Sequence, residues 1–153
     1  MRLYLVRHAE ANPAEIDPSR GLTERGRADV ERVARILAGR VADVNLIYHS
    51  GKARAYETAS ILASHVKPWK GLVETDGLAP NDDPVTWKER LGFRSEDLVL
   101  VGHLPHLARL AGLILSGDPG REVVMFRTAA VACLRRDEDL WGVEWMVTPD
   151  LVP

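Results

Sequence analysis

Two side chains that suit the binding of an anion, Arg7 and His8, stand next to each other directly after a short apolar run. The run, LYLV at residues 3–6, is typical of a buried strand. A guanidinium presents a planar set of donors that matches phosphate oxygens. The ends of the other predicted strands are therefore the places to look for further anion-binding side chains.

Similar side chains lie after two other predicted strands. The segment HSGKARAYETA, residues 49–59, comes after the second strand, and in it Ser50 is a candidate helix N-cap and Arg54 falls in the first helical turn. The segment GHLPHL, residues 102–107, comes after the fourth strand. The proline two residues after His103 suits the first position of a helix.

These residues are expected to meet at one place. Ligands of open α/β sheets bind beyond the carboxyl ends of the strands, where helix N-termini add N–H donors and partial positive charge. We therefore predict that Arg7, His8, Arg54 and His103 converge on an anion. Taken singly, Arg7 could instead pair with a structural carboxylate, and His103 could be a hydrogen-bonded core histidine.

The elements that must hold these residues alternate along the chain. Short apolar runs predict strands at residues 2–6, 44–48, 71–74, 98–101, 129–136 and 141–148. Apolar residues at helical spacing predict helices that contain residues 30–37, 55–66 and 107–114, with Thr23 as the N-cap of the first. Residues 75–96 are predicted to be mostly irregular. The alternation predicts a three-layer α/β/α sandwich, and the final hairpin makes its mainly parallel sheet mixed.

Size and composition set limits on the function. With 153 residues, 46% hydrophobic and 27% charged, the chain is expected to form a single domain, residues 1–153. The formal charge of −2 argues against a nucleic-acid or membrane-surface binder. The single cysteine, Cys133, is interpreted as a buried apolar residue in a reducing compartment, and we expect a cytoplasmic protein without signal peptide or membrane span.

Four motifs together resemble a known family. LVRHAEA, LTERG, HSGKARAYETA and LVLVGHLPHL are similar, in order and spacing, to those of the histidine phosphatase superfamily, whose fold is shared with phosphoglycerate mutase. The small size, GHLP and the ending MFRTAAVACL…WMVTP are more similar to SixA-type phosphohistidine phosphatases. Two positions depart from the family: Ala9 replaces a usual Gly, and Ser50-Gly51 replaces a common Ser-Pro.

The resemblance implies a mechanism. His8 would be the nucleophile, with one ring nitrogen donating to a backbone carbonyl and the other attacking phosphorus, and water would hydrolyse the phospho-His8 intermediate. Arg7, Arg54 and His103 would bind the phosphoryl group, His103 best when protonated, with Ser50 beside them in the substrate site. No metal ion and no cofactor is implied.

The general acid is the open assignment. Family members that act on alkyl phosphates usually place a carboxylate after the third strand. The candidates there are Glu74, Asp76, Asp82 and Asp83. An ordinary solvated acidic loop explains the same residues equally well. A phosphohistidine substrate would relax the need for an acid, because a protonated imidazole already leaves readily.

The resemblance favours a phosphohistidine-bearing protein, such as a phosphorelay protein, as the substrate. The segment after the third strand is too short for a large lid, so an open site is expected. One alternative is a broad small-molecule phosphomonoesterase that uses a loop carboxylate as acid, and a mutase is disfavoured because it must exclude water. The other is a non-catalytic phosphoprotein-binding module, although a binder would not need His8. A serine hydrolase is rejected because no GxSxG motif is present.

The remaining chemical side chains receive structural interpretations. His106 is predicted to lie at the surface or rim, since no third ligand supports a metal pair with His103. His49 is expected to line the pocket or to have a structural role, and His65 to lie at the end of a helix. The four tryptophans are expected to pack in the core and on the sheet: Trp69, Trp87, Trp141 and Trp145.

Overall fold

A six-stranded sheet forms the centre of the structure, a computed structural model that describes residues 1–153. Its strands are β1 (Arg2–Arg7), β2 (Val44–His49), β3 (Leu72–Glu74), β4 (Asp97–Gly102), β5 (Val131–Asp137) and β6 (Leu140–Val147). The helices are α1 (Glu24–Ala38), α2 (Ala53–Val66), α3 (Pro84–Gly92) and α4 (His106–Ser116), followed by a short 3-10 helix at Pro149–Leu151. All six predicted strands and the three predicted helices are confirmed.

The strand order is β3-β2-β4-β1-β5-β6. The first four strands of this order run parallel to one another, whereas β5 is antiparallel to both β1 and β6. The mixed, mainly parallel sheet is therefore confirmed. Register places Arg7 opposite Gly102 and His49 opposite Val101, so the carboxyl ends of β1, β2 and β4 lie at one edge.

Each face of the sheet carries its own apolar core. Tyr4 and Val6 pack with α1 and α2 on one face, and Leu3 and Leu5 pack with α3 and α4 on the other. Both faces are covered, which is why the inner strands are almost continuously apolar. The predicted three-layer sandwich is confirmed, and the thiol of Cys133 is buried in the first core as expected.

The start of α1 is fixed against the chain that leaves β1. Oγ1 of the predicted N-cap, Thr23, accepts a hydrogen bond from the backbone N of Gly26 at 2.9 Å. A Cβ at Gly26 would lie only 2.2 Å from the carbonyl oxygen of Glu10. Only glycine allows this approach, which accounts for the Gly of the LTERG motif.

The prediction of an irregular segment at residues 75–96 is wrong for residues 84–92, which form α3. The sequence does contain local signals for this helix. Asp83 is the N-cap, and its Oδ1 accepts from the backbone N of Val85 at 3.0 Å, while Pro84 occupies the first turn. Trp87 and Leu91, one helical turn apart, are both buried.

Two other predictions are also wrong. His106 is 0% exposed and not at the surface, because the first turn of α4 packs into the core beside α3. Trp69 is 78% exposed and does not pack in the core, whereas Trp87 does. None of the helices has both the length and the apolar character needed to cross a bilayer.

Candidate active site

His8 lies at the carboxyl end of β1, with one ring nitrogen held by the backbone. Its Nδ1 is 2.7 Å from the carbonyl oxygen of Ala9, and its backbone N donates to the carbonyl of Gly102 at 3.0 Å. A carbonyl can only accept, so Nδ1 carries the proton and Nε2 keeps its lone pair. Ala9 does not have a positive φ, and the departure from glycine at this position therefore causes no backbone strain.

A buried threonine joins the end of β1 to the start of α2. Thr58 Oγ1 accepts a hydrogen bond from the backbone N of Ala9 at 3.0 Å and donates to the carbonyl of Arg54 at 2.7 Å. These two bonds link the chain just after His8 to the helical turn that carries Arg54. The Thr58 hydroxyl thus fixes the backbone that follows His8 relative to the helical turn that carries Arg54.

The guanidinium groups of Arg7 and Arg54 are half-buried and form no ion pair. Arg7 donates from Nη1 to the carbonyl of Phe126 at 2.8 Å. The Nε atoms of both arginines are buried and have no partner within the chain. Burial lowers the pKa of both groups, but a guanidinium stays charged at neutral pH. Buried, unpaired donors of this kind are suited to an anionic ligand.

His103 completes the group. Its ring centroid lies 5.0 Å from that of His8, and its Nε2 lies 2.6 Å from Ser50 Oγ. The prediction of Ser50 as the N-cap of α2 is wrong, because the helix begins at Ala53 and Lys52 occupies the cap position. Pro105 precedes α4 as its N-cap residue and is not its first helical residue. We call Arg7, His8, Arg54 and His103 the phosphate cradle.

The pKa of His8 is lowered to about 4. Burial is the main cause, the carbonyl of Ala9 opposes it, and the positive charges of Arg54, Arg7 and Arg20 lower the pKa further. The imidazole of His8 is consequently neutral at pH 7. A neutral ring with Nδ1 protonated is the form in which Nε2 can act as a nucleophile.

The pKa of His103 is lowered to about 3, again mainly by burial. Four neighbouring side chains add to this shift: His8, Arg54, Lys52 and His106. His103 is therefore neutral in the unliganded site. Its expected role as a cation requires a bound anion to raise its pKa, since an opposite charge nearby favours the protonated form.

Arg20 is a site residue that the sequence patterns did not reveal. Its charge lowers the pKa of both His8 and Arg54, and it forms no ion pair. The side chain is held by a bond from Nε to the carbonyl of Asn12 at 3.1 Å, and its backbone adopts a left-handed φ of 52°. Its position two residues before the LT of the LTERG motif was the available signal.

The candidate acids lie in the loops beyond β3, and three of them have structural partners. Asp83 caps α3, Asp82 Oδ2 accepts from the backbone N of Ala79 at 2.9 Å, and Asp76 pairs with Arg90 at 2.7 Å. The charged groups that act most strongly on His8 and His103 include no carboxylate.

Glu74, the fourth candidate, lies against the loop that leaves β2. A Cβ at Gly51 would be 2.2 Å from Glu74 Oε1, and Gly51 has a φ of +87°, so glycine is required there. His49 is buried in the same region, where its Nδ1 accepts from the backbone N of Gly51 at 3.0 Å and its ring packs edge-on against Tyr56 at 5.3 Å. The interpretation of His49 as structural fits these contacts.

No three His, Cys, Asp or Glu side chains come together in an arrangement that could hold a metal ion. His65, at the end of α2 as expected, bonds Glu31 through Nε2 at 2.8 Å. Both ring nitrogens of His106 are buried without a partner. The groups that come together at the carboxyl end of the sheet are guanidinium and imidazole groups, a combination that is suited to binding an anion.

Comparisons with known proteins agree with this chemistry. Residues 3–81 match the family model of the histidine phosphatase superfamily (branch 1), while no curated protein matches the chain. The structure is similar to the protein histidine phosphatase SixA solved with tungstate, at a TM-score of 0.86 and 23% identity over 99% of each chain.

Two further solved structures are similar over nearly their whole length. A protein assigned as the phosphohistidine phosphatase SixA of Agrobacterium tumefaciens is 28% identical, with a TM-score of 0.78 over 97% of this chain and 98% of that chain. A protein assigned as an alpha-ribazole-5'-phosphate phosphatase from Escherichia coli is 16% identical, with a TM-score of 0.78 over the same shares of the two chains.

Proposed function

Because this chain belongs to the histidine phosphatase superfamily, we propose that it hydrolyses phosphohistidine on a protein through a covalent intermediate on His8. One observation carries the proposal. A neutral imidazole, anchored through Nδ1 to the carbonyl of Ala9 at 2.7 Å, lies beside two guanidinium groups that have no ion pair. That combination provides a nucleophile and a binding site for the group it attacks.

In the first step, the lone pair of His8 Nε2 forms a bond to phosphorus. The P–N bond to the substrate histidine breaks, and its electron pair goes to the departing imidazole nitrogen. Arg7 and Arg54 offset the charge of the phosphoryl oxygens, and His103 gains a proton as the dianion raises its pKa. Positioning and charge neutralisation are the main contributions a protein makes to such a transfer.

In the second step, water attacks the phosphorus of phospho-His8 on the face opposite His8. The P–N bond breaks, the electron pair returns to Nε2, and the proton lost by water leaves with phosphate or solvent. Division of the hydrolysis into two displacements lowers the barrier of each. The bond from Nδ1 to the carbonyl of Ala9 keeps the ring in one tautomer throughout.

The environment of the candidate acids supports phosphohistidine as the substrate. Asp82 and Asp83 accept hydrogen bonds from backbone N–H groups of their own loop and of α3, so both are structurally engaged. An alkyl phosphate needs an acid to protonate its alkoxide, whereas a substrate imidazole that is protonated at its other nitrogen leaves as a neutral ring. The engagement of Asp82 and Asp83 in the fold therefore favours the P–N bond as the bond that is hydrolysed.

The short connection after β3 supports a protein substrate. The only helix between β3 and β4 is the nine-residue α3, which packs on α4 and the core, so the connection is too short for a large lid. We therefore expect the phosphate cradle to admit a phosphorylated side chain of another protein, and the similarity to two SixA structures agrees with this choice. The single buried cysteine suits a reducing compartment, so we expect the protein to act in the cytoplasm.

A substrate panel tests the proposal. Release of phosphate would be measured from a histidine-phosphorylated protein, from free phosphohistidine, and from sugar and nucleotide phosphates. We expect the highest kcat/KM on the phosphoprotein. A clear preference for one small phosphate ester would overturn the choice of substrate but not the role of His8.

The position of Glu74 supports one alternative, a small-molecule phosphomonoesterase. Glu74 lies at the carboxyl end of β3, against Gly51 in the loop that leads from Ser50 to α2. Glu74 is therefore the candidate acid for this activity. If Glu74→Gln abolishes hydrolysis of phosphate esters but not of phosphohistidine, this activity is present as well.

A further inference from the structure

Two cations, Arg20 and Lys52, lie beside the phosphate cradle without belonging to it. Arg20 lies two residues before Leu22, whose backbone N donates to Glu57 on α2, three residues after Arg54. The backbone N of Lys52 donates to the Ser50 hydroxyl that contacts His103. In agreement with these positions, the charge of Arg20 lowers the pKa of His8 and Arg54, and the charge of Lys52 lowers that of His103. They therefore stand next to different members of the cradle. Neither forms an ion pair with any carboxylate of the chain.

Arg20 is held in place by the loop that carries it. Its Nε donates to the carbonyl of Asn12 at 3.1 Å, which leaves both Nη groups for a ligand. Two carboxylates secure the next residues of the loop: Asp17 accepts from the backbone N of Gly21 at 2.8 Å, and Glu57 on α2 accepts from that of Leu22 at 2.6 Å. The guanidinium is thus positioned by contacts that do not neutralise it.

Lys52 is fixed at its backbone and free at its side chain. It is the N-cap residue of α2, and its backbone N donates to Ser50 Oγ at 3.4 Å. The same hydroxyl contacts His103, which brings the lysine close to the cradle. The residue is exposed, and Glu74, which lies against neighbouring Gly51, forms no ion pair with it.

The charges of Arg20 and Lys52 are not needed to balance the charge of a bound phosphoryl group. A phosphoryl group carries close to two negative charges, and the guanidinium groups of Arg7 and Arg54 already match them. Two carboxylates hold the Arg20 loop, and both have other partners: Asp17 accepts from the hydroxyl of Ser19 at 2.8 Å and from the backbone N of Gly21, and Glu57 pairs with Arg27 at 3.0 Å. Arg20 and Lys52 therefore add positive charge that is matched neither by the phosphoryl group nor by an ion pair within the chain.

We propose that Arg20 and Lys52 bind carboxylates of the partner protein beside its phosphorylated histidine, and that the enzyme thereby selects phosphohistidine in an acidic surface. This inference rests on the proposed function and names the kind of partner it acts on. Charge complementarity at the rim of a site acts mainly on the rate of association and on specificity. The preference should therefore appear in kcat/KM and weaken with salt.

Two matched peptides test the inference. Each contains one histidine phosphorylated with phosphoramidate, flanked on both sides by Glu in one peptide and by Gln in the other. The wild-type enzyme should favour the Glu peptide by about tenfold in kcat/KM at low salt, and the preference should fall to about twofold at high salt. The variants are Arg20→Gln, Lys52→Gln and the double change, with Lys70→Gln as a control at the opposite edge of the sheet.

In the double variant, the ratio of kcat/KM on the Glu peptide to kcat/KM on the Gln peptide should fall from about ten to about one at low salt. Lys70→Gln should behave as wild type. Equal rates of wild type on both peptides, or equal losses of the variant on both, would overturn the inference, since the cations would then serve the phosphoryl group or the fold. Failure of the wild type to hydrolyse either peptide would overturn the proposed function, and this inference with it.

Discussion

The hydroxyl oxygen of Ser50 lies 2.6 Å from Nε2 of His103. This contact joins the loop after β2 to the loop after β4, and it replaces the helix cap that the sequence suggested for Ser50. A hydroxyl can donate to Nε2 while His103 is neutral and accept from it once His103 is protonated. Ser50 is therefore able to hold the imidazole in position through both protonation states.

Loss of this hydroxyl should weaken turnover. Ser50→Ala is expected to lower kcat/KM at least about tenfold, because a hydrogen bond to a group that becomes charged contributes about 1.5–3 kcal/mol. Ser50→Thr, which retains the hydroxyl, should keep most of the activity. Steady-state kinetics on a phosphohistidine substrate measure both variants, and full activity of Ser50→Ala would show that the contact has no part in turnover.

Removal of His8, the proposed nucleophile, should have the largest effect. His8→Ala is expected to reduce turnover by about a thousandfold or more, since no other group can form the covalent intermediate. Brief incubation of the wild type with a ³²P-labelled substrate should give an acid-labile label that the variant lacks. Circular dichroism controls for folding. Substrate binding by wild type without any label would instead identify a non-catalytic phosphoprotein-binding module.

Acid should destabilise the protein in a defined range. The folded-state pKa values of His8, His103 and His106 are about 4, 3 and 4, all below the unfolded value of about 6.5. Between these limits the unfolded chain binds more protons than the folded chain, so stability is present above about pH 6.5 and is lost as the pH falls towards about 4. Urea unfolding at several pH values measures this loss.

The proton uptake gives a second readout of the same prediction. NMR titration of the imidazole Cε1 protons should show the three buried rings still neutral at pH 5.5, while exposed histidine in the unfolded chain is mostly protonated. A normal pKa for His8 in the folded protein would contradict the conclusion that burial and three arginines keep it neutral.

The buried imidazole of His106 should reduce stability. Both of its ring nitrogens lack a partner, and a buried polar group without a hydrogen bond costs about 1–3 kcal/mol. His106→Leu is therefore expected to raise the free energy of unfolding at pH 7 by about 1–3 kcal/mol. It should also lower the number of protons taken up on unfolding in acid by about one. A decrease in stability would show that the ring makes polar contacts that matter to the fold.

The sequence predicts this fold well because strong local patterns agree with one another. The apolar runs of β1, β2 and β4 are each followed closely by a residue of the candidate site. The same short segments therefore predict both the strands and the location of the site. The N-cap of α1 could be predicted because the hydrogen bond between Thr23 and Gly26 joins residues only three apart in the sequence. Arg7, His8, Arg54 and His103 could therefore be assigned to one edge of the sheet from the sequence alone.

Features that depend on tertiary contacts could not be found in this way. Arg20 lies in an irregular loop that is held by side-chain bonds to Asn12, Asp17 and Glu57, and no periodic pattern marks such a loop. The burial of His106 depends on how α3 packs on α4, and the helix α3 itself was not predicted because its apolar face contains only two large residues. The polarity of histidine predicted a surface position for His106, but the packing of α3 on α4 buries it.

The sheet separates the two apolar cores. The phosphate cradle nevertheless combines residues from both sides of it: Arg54 lies on α2, which packs on the first core, and His103 lies just before α4, which packs on the second. An oxyanion bound by Arg54 and His103 together would connect the helical layers on the two faces of the sheet. A ligand at a free concentration of about one hundred times its Kd would raise the free energy of unfolding by about 2.7 kcal/mol. Product phosphate or tungstate should accordingly raise the melting temperature and make the two helical layers unfold as one cooperative unit.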